Sequence, residues 1–119
     1  MRIGVPKEIK NHEYRVGLTP EAAAEMVGDG HEVWVQTQAG DGIGASDADY
    51  EAAGATVKPD ATTVFAGCDM IIKVKEPQAV ERAMLRDGQI LYTYLHLAPD
   101  PEQTRELIDS GAVCMASRP

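Results

Sequence analysis

Cysteine and cationic side chains are both scarce in this 119-residue chain. There are two cysteines, Cys68 and Cys114, each beside small or apolar neighbours. They form no C-x-x-C pair and stand in no His/Cys cluster, so the pattern offers no metal site and fits buried free thiols in a reducing compartment. Lys and Arg number 11 against 19 Asp and Glu, for a net charge of −8 and a pI near 4.7. That balance argues against nonspecific binding to nucleic acid or to an anionic membrane, both of which need basic patches. Long apolar runs are missing too. No stretch approaches a membrane span, and Met1–Val5 lacks the apolar core of a signal peptide, so the expectation is a cytoplasmic protein. An acidic chain that binds an anion must do so with a few well-placed cations.

The length fits one domain, and no internal repeat is visible. Arg2–Val5 reads as a first strand closed by Pro6, followed by a polar, irregular stretch over 7–16. Thr19-Pro20-Glu21 is a helix start, with a Thr cap, Pro at the first position and an acid in the first turn. That helix should reach about Val27 and stop at Gly28-Asp29-Gly30. His31–Gln36 alternates as a strand, completing a βαβ unit. Ser46 opens a short helix through a capping box, Thr56–Lys58 is a brief strand, and Asp60 caps a further helix ended by Gly67. A buried strand follows over 70–75, then a helix over 78–86, a strand over 89–95, a helix entered at Asp100-Pro101, and a last strand from Ala112. Repeated β-α-β order predicts an α/β fold: a doubly wound, mostly parallel sheet, Rossmann-like or flavodoxin-like. The chain stops just after a strand with no closing helix, so the lobe is expected to be incomplete.

Gly40-Asp41-Gly42-Ile43-Gly44-Ala45 matches G-x-G-x-x-[G/A], and Asp60 lies near the spacing of a ribose-binding acid. Three features weigh against a dinucleotide there. Asp41 puts a negative charge among the amides, the Ser46 cap moves the helix start past the loop, and the helix is short.

The cations that remain are few. Lys73 and Lys75, in K-V-K-E-P over 73–77, should share one face of a strand, with Lys75 nearer the carboxyl end, where ligands sit in a parallel sheet. An ammonium there suits a carbonyl or an oxyanion; the alternative is a solvated strand end. His96, between Leu95 and Leu97 at the end of the next strand, suits general acid–base work or is a satisfied core histidine. Arg15 can hold a carboxylate through two parallel hydrogen bonds, or is a surface arginine paired with Glu8 or Glu13. Glu8 and Glu76 are candidates to orient the two lysines. Tyr92 and Tyr94 read as core or pocket lining, and His12 and His31 as surface residues. Arg15, Lys75 and His96 together suit an α-keto acid or amino acid whose cofactor is held elsewhere.

The stretches M-R-I-G-V-P-K-E (1–8), N-H-E-Y-R-V-G-L-T-P (11–20), G-H-E-V (30–33), I-I-K-V-K-E-P (71–77) and G-Q-I-L-Y-T-Y-L-H-L (88–97) resemble the N-terminal part of alanine dehydrogenases. The resemblance implies an NAD-dependent interconversion of L-alanine with pyruvate and ammonia, in an oligomer, commonly a hexamer. It implies that Arg15 binds the substrate carboxylate, Lys75 contacts carboxylate and carbonyl, and His96 is the acid–base. The nearest relative outside that activity is the nicotinamide-binding α subunit of proton-translocating transhydrogenase, which typically lacks the lysine and the histidine. Saccharopine dehydrogenases are more distant. Ser117-Arg118-Pro119 departs from the acidic continuation of the family. The expectation is therefore a truncated substrate-binding lobe over 1–119, without the nucleotide-binding domain that would hold NAD and without hydride transfer by itself. The alternative is a non-catalytic binding or assembly module.

Overall fold

The computed structural model describes residues 1–9, 12–93, 108 and 110–116, the last three by their backbone only. Six strands run β1 (Arg2–Val5), β2 (Glu32–Gln36), β3 (Thr56–Lys58), β4 (Met70–Ile72), β5 (Ile90–Thr93) and β6 (Val113–Ala116). They form one sheet in the order β3-β2-β1-β4-β5-β6, and every pairing is parallel. Among the described residues, helices with defined bounds are α1 (Pro20–Gly28), α2 (Asp47–Ala52), α3 (Ala61–Gly67) and α4 (Ala79–Arg82).

Strand alternation sorts the core into two layers. Ile3, Val5, Val33 and Val35 point to one face and pack with Ala23 of α1 and Tyr50 of α2. Ile71 and Leu91 point to the other and pack with Val64 and Phe65 of α3, Cys68 and Leu85. Apolar cores on both faces make the sheet doubly wound. Gly4 lets α3 approach β1, because a Cβ there would overlap Val64 and Cys68. Burial pushes the Cys68 thiol up to about 11, so it is an inert core group.

The helix starts follow their caps. Thr19 Oγ1 accepts from Ala22 N at 3.2 Å, Ser46 and Asp49 complete a capping box, and Asp60 Oδ1 accepts from Thr63 N at 2.8 Å. Two elements are shorter than the sequence suggests. The central strand ends at Ile72 rather than reaching Lys75, because Lys73 N donates the last ladder bond, to Tyr92 O at 3.0 Å, and the chain then turns onto a carboxylate. The helix expected over 78–86 is a single turn, Ala79–Arg82. The helix expected after Asp100 lies mostly outside the described residues.

Trp34, the sole tryptophan, lies against Gly67 with Arg2 4.4 Å and Lys58 4.0 Å from its ring centre. Tyr50 is fully buried, its hydroxyl donating to Leu18 O at 2.7 Å, and burial pushes its pKa up to about 12. That bond ties α2 to the loop entering α1. Tyr50→Phe should cost about 1 kcal/mol, measured as a melting temperature lower by roughly 4 °C.

Candidate functional site

Strand order reverses between β1 and β4, since β2 and β3 lie on one side of β1 and β5 and β6 beyond β4. In an open parallel sheet, the crevice outside the carboxyl ends at such a reversal is the usual ligand site. Here the segment after β1 (Pro6–Glu8) meets the segment after β4 (Lys73–Pro77). Glu8 Oε1 lies 2.8 Å from Lys73 Nζ and accepts from Lys75 N at 3.2 Å, while Oε2 accepts from Val74 N at 3.0 Å. On the far side of Lys73 stands Glu81 of α4, 3.1 Å from Nζ. All three side chains are 1–2% exposed. Burial raises the pKa of Glu81, opposed by the Lys73 charge.

Lys73 is therefore a structural cation. Lys75 is only half-buried, so the two lysines do not share an environment as the sequence suggested; alternation lapses once the strand ends at Ile72. Lys75 is held by its main chain, its N–H on Glu8 and its carbonyl accepting from Thr93 Oγ1 at 2.7 Å.

The loop before α1 lies over this end of the sheet. Gly17 makes that possible, since any Cβ would overlap the Ile72 carbonyl. Arg15 is exposed and forks onto Glu13, with Nε to Oε2 and Nη2 to Oε1 both at 3.0 Å. The Glu13 carboxyl is held below its ordinary range mainly by that arginine, with Lys75 adding a smaller attraction. The expected pairing of Arg15 with a neighbouring acid is thus present, with Glu13 as the acid. Arg15 nonetheless lines a cavity of about 340 Å³ with Thr19, Ile43, Ile72, Lys73 and Tyr92. Its size suits a small organic acid, and Tyr92 is pocket lining, as expected. His96 and Tyr94 lie outside the described residues, as does the Cys114 side chain. Glu76 is half-buried, and its carbonyl accepts from Gln78 Nε2 at 3.0 Å. His12 is exposed and His31 half-buried.

The glycine-rich segment does not fit a pyrophosphate. Asp41–Ile43 is a 3-10 turn, Gly42 is packed against the Tyr14 backbone, and α2 begins only at Asp47 and has six residues. Asp60 is spent on capping α3. Among the described residues no His/Cys/Asp/Glu group could hold a metal, and no helix is long and apolar enough to cross a membrane.

A family model described as alanine dehydrogenase/PNT, N-terminal domain, matches residues 4–117. The chain belongs to this family. Curated relatives named alanine dehydrogenase include those of Halomonas elongata, 59% identical, and Mycobacterium tuberculosis, 49% identical, each over 98% of this chain and 31% of the relative. The chain thus spans about a third of the length of these alanine dehydrogenases. A solved L-alanine dehydrogenase superposes with a TM-score of 0.94 at 47% identity, covering 98% of this chain and 32% of that one. A transhydrogenase from Sinorhizobium meliloti superposes at 0.90 with 28% identity, covering 98% and 34%. The alanine dehydrogenase/PNT fold is therefore present, here as a six-stranded, all-parallel open sheet.

Sequence reasoning missed Glu81 and Thr93. Gln78-x-x-Glu81 has the spacing of a capping box, and Gln78 N does donate to Glu81 Oε1 at 2.8 Å, but Gln is not a usual cap. Thr93 carried no signal, being one more β-branched strand residue.

Lys73→Met leaves two buried carboxylates without a counter-ion and should cost about 3–5 kcal/mol, measured by urea unfolding. Glu81 supplies a pH test. An acid whose folded-state pKa lies above its unfolded value binds extra proton in the folded state between the two. Stability therefore falls as pH rises across that window. Wild type and Glu81→Gln should diverge as pH climbs above 4.5, the ordinary glutamate value, with wild type losing ground. A constant difference between them would refute the raised pKa.

Proposed function

We propose that residues 1–119 are the substrate-binding lobe of an NAD-dependent L-alanine dehydrogenase, which interconverts L-alanine with pyruvate and ammonia. What supports this reading is a cavity beyond the ends of β4 and β5 lined by Arg15, Lys73 and Val74, with the adjacent Lys75 anchored on Glu8, in a chain whose relatives are named alanine dehydrogenase. Arg15 takes the substrate carboxylate, for which a guanidinium offers paired donors. Lys75 contacts carboxylate and carbonyl, where an ammonium stabilises developing negative charge. His96 moves the proton at the reacting carbon's substituent, general acid–base work to which the imidazole side-chain type is suited. The cofactor supplies hydride chemistry, and because the glycine-rich segment does not fit it, a nucleotide-binding domain outside these residues holds it. The chain alone then binds pyruvate without turning it over. The working protein is cytoplasmic and a homo-oligomer, by likeness to the family.

A second reading is favoured by the transhydrogenase superposition: a lobe that serves nicotinamide exchange and binds no amino acid. Lys75 and His96 discriminate, since the resemblance implies that both are typically absent there.

Titrating the isotope-labelled chain with pyruvate should shift the amide signals of Arg15 and Lys75. Arg15→Lys, which loses the paired donors, should weaken binding about tenfold. If pyruvate left those signals unmoved, the substrate assignment would fail. His96→Ala should leave pyruvate binding within about twofold while abolishing turnover by the complete enzyme. Retained turnover would remove His96 from the chemistry.

A further inference from the structure

Beyond the pair that meets substrate, the geometry points to Glu8 and Thr93 as positioning residues that fix Lys75 through its main chain. The inference rests on the assignment of Lys75 to the substrate. Lys75 lies past the end of β4, so no strand ladder holds it. Its peptide groups are instead gripped from both sides. Glu8 Oε1 accepts its N–H at 3.2 Å, and Thr93 Oγ1 donates to its carbonyl at 2.7 Å. Both anchors are themselves buried and held. Thr93 is fully buried at the end of β5, in register with Ala116 of β6. Glu8 is pinned by Lys73 Nζ at 2.8 Å and by Val74 N at 3.0 Å.

The chemistry suits this task. A carboxylate accepts several N–H bonds at once, and bonds to an ionised acceptor are shorter and stronger than neutral ones. Lys73 balances the charge that the buried Glu8 would otherwise leave unpaired, which frees Lys75 from that duty. The ammonium of Lys75 can then serve a ligand while its backbone stays fixed. Thr93 also stands three residues ahead of His96 in the chain. Its hydroxyl therefore ties the segment bearing the lysine to the strand that leads to the histidine.

The test uses the labelled 119-residue chain, with pyruvate as the probe. Glu8→Gln should move the amide signals of Val74 and Lys75 upfield and weaken pyruvate binding about tenfold. Thr93→Val, nearly isosteric, should move the Lys75 carbonyl carbon and weaken binding about threefold. Placed in a Lys75→Ala background, neither substitution should add to the loss, because each acts through that lysine. Wild-type affinity in either folded variant overturns the role of that residue, and so does a loss that persists in full without Lys75, since general loosening would add. If Glu8→Gln does not fold, Thr93→Val decides. If the parent chain ignores pyruvate, the substrate reading fails separately. The Lys75 amide and carbonyl signals then judge the two anchors, unmoved signals overturning them and moved signals supporting them.

Discussion

The ion pair between Glu8 and Lys73 is the contact on which this end of the molecule depends. It joins the segment leaving β1 to the segment leaving β4, across the point where strand order reverses. A buried pair of this kind adds little net stability over a well-packed apolar pair, because both ions lose their water. What it does supply is direction. One carboxylate takes an ammonium and two successive N–H groups, so the chain after Ile72 has one path to follow. Glu81 adds a second acid to the same lysine, and burial disfavours its charged form, which limits the excess of negative charge.

Much of the fold was legible because local signals and global topology agree. Thr19-Pro20, Ser46 with Asp49, and Asp60 each cap a helix where the sequence placed one. The doubly wound, parallel sheet followed from repeated β-α-β order. The errors came where tertiary contacts override a local pattern. Lys73-Val74-Lys75 alternates like a strand, but the Glu8 carboxylate draws the main chain out of the ladder. Position made Lys75 the better candidate; in the structure the Lys73 ammonium is buried between Glu8 and Glu81, while Lys73 and not Lys75 is among the residues lining the Arg15 cavity. The competing reading of Arg15 was also sound, since Glu13 holds its guanidinium. What the sequence could not show was that one arginine can pair with an acid and still line a cavity.

Likeness to both alanine dehydrogenase and transhydrogenase structures at high TM-score illustrates how little the sheet says about chemistry. Strand order provides a crevice, and the loops decide what enters it. Two glycines shape those loops through close backbone contact. Gly17 lets the Arg15 segment lie on the end of β4, and Gly42 lets the turn after β2 lie on Tyr14. The second of these accounts for a glycine pattern that resembles a nucleotide loop yet serves packing.

The clasp around Trp34 has a practical consequence. This indole sits on the α3 side of the β1–β3 half, touching Gly67 and flanked by two cations from neighbouring strands. As the molecule's sole tryptophan, its emission reports whether α3 is docked on that half of the sheet. It is not among the residues lining the Arg15 cavity. Fluorescence can therefore follow the integrity of one half of the protein while ligand signals follow the other, with no label introduced.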